Sequence, residues 1–393
     1  LRKLLLIAVL IPIFAGAGWW YFRERTLPDY GPAFREYAYV SNGKSNTVSV
    51  IDLRTFALAK TLKAGSEPTG LAANSKKNEI YVVNSGSSNV SVIDAETNSV
   101  AATIGVHGRP YFIDVSEDGK RAYVANSGSA DVSVIDLDKR QVIGNIRVGA
   151  SPGLARVSPD GATVVVSNRG DNTVSLIDAK KLLVRATLPV CKQPEDIAIL
   201  PDSTKAFVSC SGSSQVASIA LASENTKTGE KKDDRVLALL DVGRTPVSLT
   251  LKPDGGEMIV CNFDSDSVSM VETYNDEVGN STEIGQHPSK GVVTLDNSRL
   301  YVSNFGSNSV AIYDIDMGRR IATLTVGSRP DALALTPDQN YLLVADTESG
   351  DVTIIQKRKP RKLEPTEYSL LTLIPVGMQP NAIVIKAFMA SLK

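Results

Sequence analysis

Two histidines and three cysteines are the side chains whose chemistry stands out most sharply in these 393 residues. His107 sits in VHGRP and His287 in GQHPSK. A histidine in such a turn can ligate a haem iron or move a proton near neutral pH, although a solvated loop histidine is the commoner case. His107 stands three residues before a proline and His287 one before, and nothing adjacent in sequence supplies an orienting carboxylate. The cysteines form neither a CxxC pair nor a CxxCH haem-attachment motif, and two histidines are little material for a zinc site. No Ser-His-Asp or Cys-His set separates from the serine-rich background, and no glycine-rich loop opens a helix to cradle phosphate. Catalytic residues are therefore not assigned.

The elements that must position these residues are written as a repeat. Pro68, Pro110, Pro152 and Pro194 follow glycine-rich turns at 42-residue steps, as do Pro246, Pro288 and Pro330; Pro380 closes the series, with longer steps before Pro246 and Pro380. Each unit holds a segment such as Tyr81-Val82-Val83-Asn84, a polar turn, an alternating segment such as Val90-Ser91-Val92-Ile93-Asp94, a third strand ending at the glycine turn, and a post-proline strand. Alternation marks strands with unequal faces. Turns such as Pro159-Asp160-Gly161 end the post-proline strand. Asp118, Asp160, Asp202, Asp254, Asp296 and Asp338 read as turn formers in these hairpins.

Four short antiparallel strands, repeated eight times, predict an all-β propeller of eight four-stranded blades, or seven where a divergent unit does not form a full blade. With the post-proline strand innermost, three N-terminal strands and one C-terminal strand share the closing blade, which removes free sheet edges. Residues 36–387 form this propeller and 388–393 a tail. Leu4–Phe22 is an uncharged 19-residue run, close to the length that crosses a hydrocarbon core of ~30 Å. With Arg2 and Lys3 before it and Trp19 to Phe22 after it, residues 1–22 read as a transmembrane signal anchor, and 23–35 as a tether. A cleaved signal peptide at Ala15-Gly16-Ala17 is the alternative. Either way the remainder is exported, to the periplasm or outside the cell. Formal net charge is −1, which gives no general nucleic-acid footprint.

The YVVN, YVAN and YVSN segments, the VSVID segments and the VSPDG turn resemble the YVTN-family β-propeller repeat, from about Glu36 to Lys386. The resemblance implies the propeller fold. Related propellers include cell-surface proteins, lactonase-like hydrolases and carriers of a haem d1-type cofactor, so fold alone does not choose a function. The leading expectation is a non-catalytic binding or scaffolding subunit at a membrane, with no cofactor and a protein partner that could be an integral membrane complex. The alternatives are a haem-type tetrapyrrole propeller and a lactonase-like hydrolase.

The repeat also sorts residues onto two faces. Arg109, Lys192, Arg244, His287 and Arg329, with Glu67 and Lys290 nearby, belong to the face carrying the prolines, where they would ring the central opening and receive an anionic ligand or acidic partner, or simply form a solvated rim. The units opened by Pro110 and Pro288 are four apart, which sets His107 and His287 on opposite sides of an eight-bladed ring as possible cofactor ligands. Cys191 replaces a turn glycine and Cys210 a repeat asparagine in one unit, so a disulfide there is plausible. Cys261 reads as a small buried residue. Two insertions, Ser223–Asp234 and the run Lys357, Arg358, Lys359, Pro360, Arg361 and Lys362, extend the other face; the basic one could touch anionic headgroups. The small residues Ala15, Gly16 and Gly18 could pack against another membrane span.

Overall fold

A computed structural model describes residues 31–224, 231–358 and 367–390. Eight four-stranded antiparallel sheets form the ring, so the count is eight blades. We number blades 1 to 7 from the prolines that open them, Pro68 through Pro330. In each, the post-proline strand is innermost. The closing blade takes its innermost strand from Pro380–Met389, which pairs antiparallel with Phe34–Asn42, followed outward by Thr47–Asp52 and Ala57–Lys63. Both strands of the joint run two residues beyond the limits expected from the repeat, because Phe34↔Met389 and Arg35↔Phe388 extend the ladder. Among the described residues no helix is long and apolar enough to cross a membrane. The run Leu4–Phe22 lies outside them.

The YVxN motif acquires a physical meaning from the packing. The tyrosine lies buried between blades: the Tyr39 hydroxyl of the closing blade donates to Asn98 Oδ1 of blade 1 at 2.5 Å. The apolar positions build eight separate cores, each shared by two neighbouring blades, as where Val48 and Val50 meet Leu71, Ile80 and Val82. Full burial of one such aliphatic side chain contributes about 1.5–3 kcal/mol, which explains why both faces of each sheet are apolar. The asparagine latches the following turn. Asn84 Nδ2 donates to Asn89 Oδ1 and Ser91 Oγ at 2.8 and 2.9 Å, and Asn168 Nδ2 to Thr173 Oγ1 and Ser175 Oγ at 3.0 and 2.9 Å.

This latch revises the meaning of the VSVID alternation. Val90, Ser91, Val92 and Ile93 are all buried, so the serine does not face solvent; it answers the asparagine. True alternation of exposure belongs to the outermost strands, such as Gln141–Arg147. The latch also accounts for the glycine three residues before six of the eight blade-opening prolines, the exceptions being His107 and Cys191. A Cβ on Gly243 would stand 2.6 Å from Asn262 Cβ, and one on Gly377 2.7 Å from Asn42 Cβ. Gly243→Ala is therefore expected to cost about 1–3 kcal/mol, as overpacking does. Chemical denaturation reads the result, and an unchanged midpoint would contradict the close approach.

The aspartates of the Asp-Gly hairpins are turn formers. Asp118, Asp160 and Asp254 each accept the backbone N–H two residues on, at 3.0, 3.0 and 2.9 Å.

Candidate functional site

The prolines define the rim of one face. The residue before every proline has a left-handed backbone, with φ between 49° at Ser151 and 57° at Gln379. Several are tied by the blade behind: His287 N–H donates to Asp266 Oδ1 at 2.8 Å and Arg329 N–H to Asn308 Oδ1 at 2.9 Å. The backbone is thus fixed while the side chain projects outward. Arg109, Lys192, Arg244, His287 and Arg329 are all exposed on these turns. The side chains of Arg109 and Lys192 form no ion pair among the described residues. Arg244 Nη2 donates to the Asp264 carbonyl at 2.6 Å, and Arg329 Nε lies 3.3 Å from Glu348.

On one side of the rim the side chains stack. The His287 ring lies on Phe263 at 4.5 Å between centroids; Phe263 meets Phe305 at 6.0 Å, and the Arg329 guanidinium covers Phe305 at 5.5 Å. Phe263 and Phe305 follow the latch asparagines Asn262 and Asn304, at positions where other blades carry Ser85 and Ser127. Sequence reading passed over them because nothing marks that position except comparison down the repeat.

None of the five basic rim residues lines the central opening, although Phe263 of the stack does. A cavity of about 680 Å³ occupies it, walled by residues of all eight innermost strands, and neither histidine is among them. Its charges lie deeper. Asp196, buried on blade 4, accepts the N–H groups of Ile197 and Leu249 at 2.9 and 3.1 Å. Its oxygens also meet Lys290 Nζ of blade 6 at 3.2 Å and Arg156 Nη2 of blade 3 at 3.7 Å. Burial acts to raise the Asp196 carboxyl, but Lys290, Arg156 and the two N–H donors hold it below the usual range. Asp114 and Asp331 flank this triad, and burial raises both despite Arg156 and Lys290 respectively. Nearer the mouth, Arg169 Nη2 pairs with Glu195 at 2.6 Å and lies over Tyr111. Of these charges the sequence reading singled out only Lys290. The signal was available: a charged residue two or four places after the proline, where most blades carry small or apolar ones.

Each histidine has its own local engagement. His107 Nδ1 donates to Asp131 Oδ2 at 2.6 Å, so an orienting carboxylate is present after all, 24 residues along the chain. The sequence hides it because the turn folds back over the second and third strands of its own blade. Cys191 and Cys210 are joined by a disulfide with a Cα separation of 5.6 Å. The bond occupies the place of the glycine–asparagine contact of other blades. Cys261 is buried, which pushes its thiol up to about 12. Lys357 and Arg358 end the third strand of blade 7, and Lys359, Arg361 and Lys362 lie outside the described residues. Among the described residues no group of three or more His, Cys, Asp or Glu side chains is arranged to hold a metal ion.

Comparison with known proteins agrees with this geometry at the level of fold. The YNCE-like beta-propeller family model matches residues 17–157, and that of the 7-bladed lactonase propellers matches residues 285–376. No curated protein matches the chain in sequence. Among solved structures, the dihydro-haem d1 dehydrogenase NirN has a TM-score of 0.70 at 13% identity, covering 88% of this chain and 74% of its own. AztD from Citrobacter koseri has a TM-score of 0.66 at 15% identity, covering 92% and 100%. Kuenenia stuttgartiensis hydrazine synthase has a TM-score of 0.55 at 21% identity, covering 74% and 95%. The chain is thus a repeat β-propeller, similar over its first part to the YNCE-like propellers and over its last quarter to the lactonase type.

Proposed function

We propose that the protein is a non-catalytic binding or scaffolding propeller, held at the cytoplasmic membrane by residues 4–22, with the ring in the periplasm or outside the cell. The proline face docks a protein partner of a membrane-associated complex. One observation carries this reading: five basic side chains stand exposed around a single face, beside the stack of Phe263, His287, Phe305 and Arg329. Arginine and aromatic side chains on a fixed backbone are the composition of interface cores rather than of ordinary solvated surface. The Cys191–Cys210 bond supports an oxidising compartment. Lys357 and Arg358, at the end of the third strand of blade 7, then face the headgroups on the opposite side.

The test is a photocrosslinking residue placed at Phe305, and another at Asp202 on the opposite face, each in otherwise native protein in its own membranes. A discrete adduct from position 305 alone is expected, lost when Arg109, Lys192, Arg244, His287 and Arg329 are changed together to alanine. An adduct that persists in that variant overturns the reading. The tetrapyrrole alternative has weaker support, since neither His107 nor His287 lines the cavity. The lactonase-like alternative rests on the match to residues 285–376.

A further inference from the structure

We propose that the central cavity is a binding site for a small organic anion, a carboxylate or phosphate ester on an apolar or aromatic body, recognised by Lys290 and Arg156. The inference goes beyond the docking reading: none of the five rim residues lines the cavity, and Phe263, on which His287 stacks, is the residue the two readings share.

The argument starts from Asp196. Two backbone N–H groups and two cations fix its carboxylate, so it acts as a permanent internal counter-ion. It is a single negative charge between two positive ones, and it draws the tips of Arg156 and Lys290 together from blades 3 and 6. The triad therefore carries one net positive charge. The wall also holds Asp114, Asp331 and Glu195, and burial pushes all three carboxyls up. Glu195 is paired with Arg169 at the entrance, at 2.6 Å. A low-dielectric channel strengthens the field of the triad at close range.

The donors are also in surplus. Among the described residues Lys290 Nζ, with three protons to give, hydrogen-bonds Asp196 alone, and the ammonium is the more exposed partner. Arg156 Nε is buried without a hydrogen-bond partner, as is the hydroxyl of Ser248, whose side chain lies in the wall of blade 5 between Asp196 and Lys290. A wall rich in unmet donors calls for a ligand rich in acceptors. The other walls suit an apolar body. The Phe112 ring lies under the Arg156 guanidinium at 4.9 Å, and Tyr111 and Phe263 also line the opening. A cavity of about 680 Å³ is far larger than an inorganic ion needs and fits a metabolite-sized molecule.

Calorimetric titration of the intact protein with benzoate, phenyl phosphate, inorganic phosphate and benzylamine tests this. The aromatic anions are expected to bind, whichever acidic group they carry, inorganic phosphate at least tenfold more weakly, and benzylamine not at all. Lys290→Met should weaken the aromatic anions at least tenfold. Asp331→Asn, which removes a neighbouring carboxyl group and keeps all three cations, should leave binding equal or tighter, so a misfolded Lys290 variant does not spare the proposal. The fivefold rim variant should bind benzoate as the native protein does, which separates failure here from failure of the docking reading. Binding of benzylamine as tight as that of benzoate, no binding of either aromatic anion, or full affinity in a folded Lys290→Met protein would overturn the assignment.

Discussion

Asp346→Asn is expected to stabilise the propeller at pH 8 by about 2 kcal/mol or more and to flatten its loss of stability with rising pH. Blade 7 alone carries an aspartate at the latch position, in Leu343-Val344-Ala345-Asp346. Asp346 is fully buried, its Oδ2 accepts the Thr353 hydroxyl at 2.6 Å, and it hydrogen-bonds Asp351. Burial, with the neighbouring Asp351 carboxylate, pushes its carboxyl up to about 8. The folded chain thus keeps a proton that the unfolded chain releases near its ordinary value of 3.8. The contribution is fully present below that value and is lost as pH rises through the folded one, at up to roughly 1.4 kcal/mol per pH unit. Asparagine removes the titration. It also restores the pairing of blade 2, where Asn126 Nδ2 donates to Asp131 at 2.7 Å. Urea unfolding of both proteins at pH 5 and pH 8 decides the matter: equal pH slopes would show that the pair does not share a proton.

Breaking the Cys191–Cys210 bond is expected to cost about 3 kcal/mol, the usual scale for a loop of this length, whether by Cys210→Ala or by reductant. The sequence context makes a sharper experiment possible. In blade 4 the glycine, the latch asparagine and the latch serine are all replaced, by Cys191, Cys210 and Ala217. Changing them together to Gly, Asn and Ser rewrites the contact that blades 3 and 5 use. That triple variant should recover most of the lost stability and no longer respond to reductant. The double change to Gly and Asn should recover less, because the new amide then lacks a hydroxyl acceptor. If reductant leaves the native unfolding midpoint where it is, the bond does not support the blade.

How much of this was legible beforehand follows from what a repeat can carry. The eight prolines, the turns after the innermost strands and the YVxN strands recur at a 42-residue step broken only by two insertions, so they announced the blades, the strand order and the shared closing blade. The functional surfaces are the departures from the repeat, and these are legible only where the residue type is rare. His107, His287 and Cys191 drew notice for that reason. Phe263, Phe305, Asp196 and Arg156 did not, because phenylalanine and charged residues are common and their meaning depends on depth in the channel. The His107–Asp131 contact was invisible for a different reason: 24 residues separate the partners, and only the turn geometry brings them together.

The shared closing blade also has a bearing on biosynthesis. Its second strand, Phe34–Asn42, is among the first of the ring to be made, and its innermost partner, Pro380–Met389, among the last. While the chain is still emerging, whether from a ribosome or a translocation channel, that early sheet stands with a bare edge and blade 7 lacks one neighbour. Such an edge is a template for pairing with another chain. The interval between the two strands is therefore the period in which a chaperone would be most useful. Elongation rate, rather than any property of the finished ring, would set how much of the protein reaches its closed form.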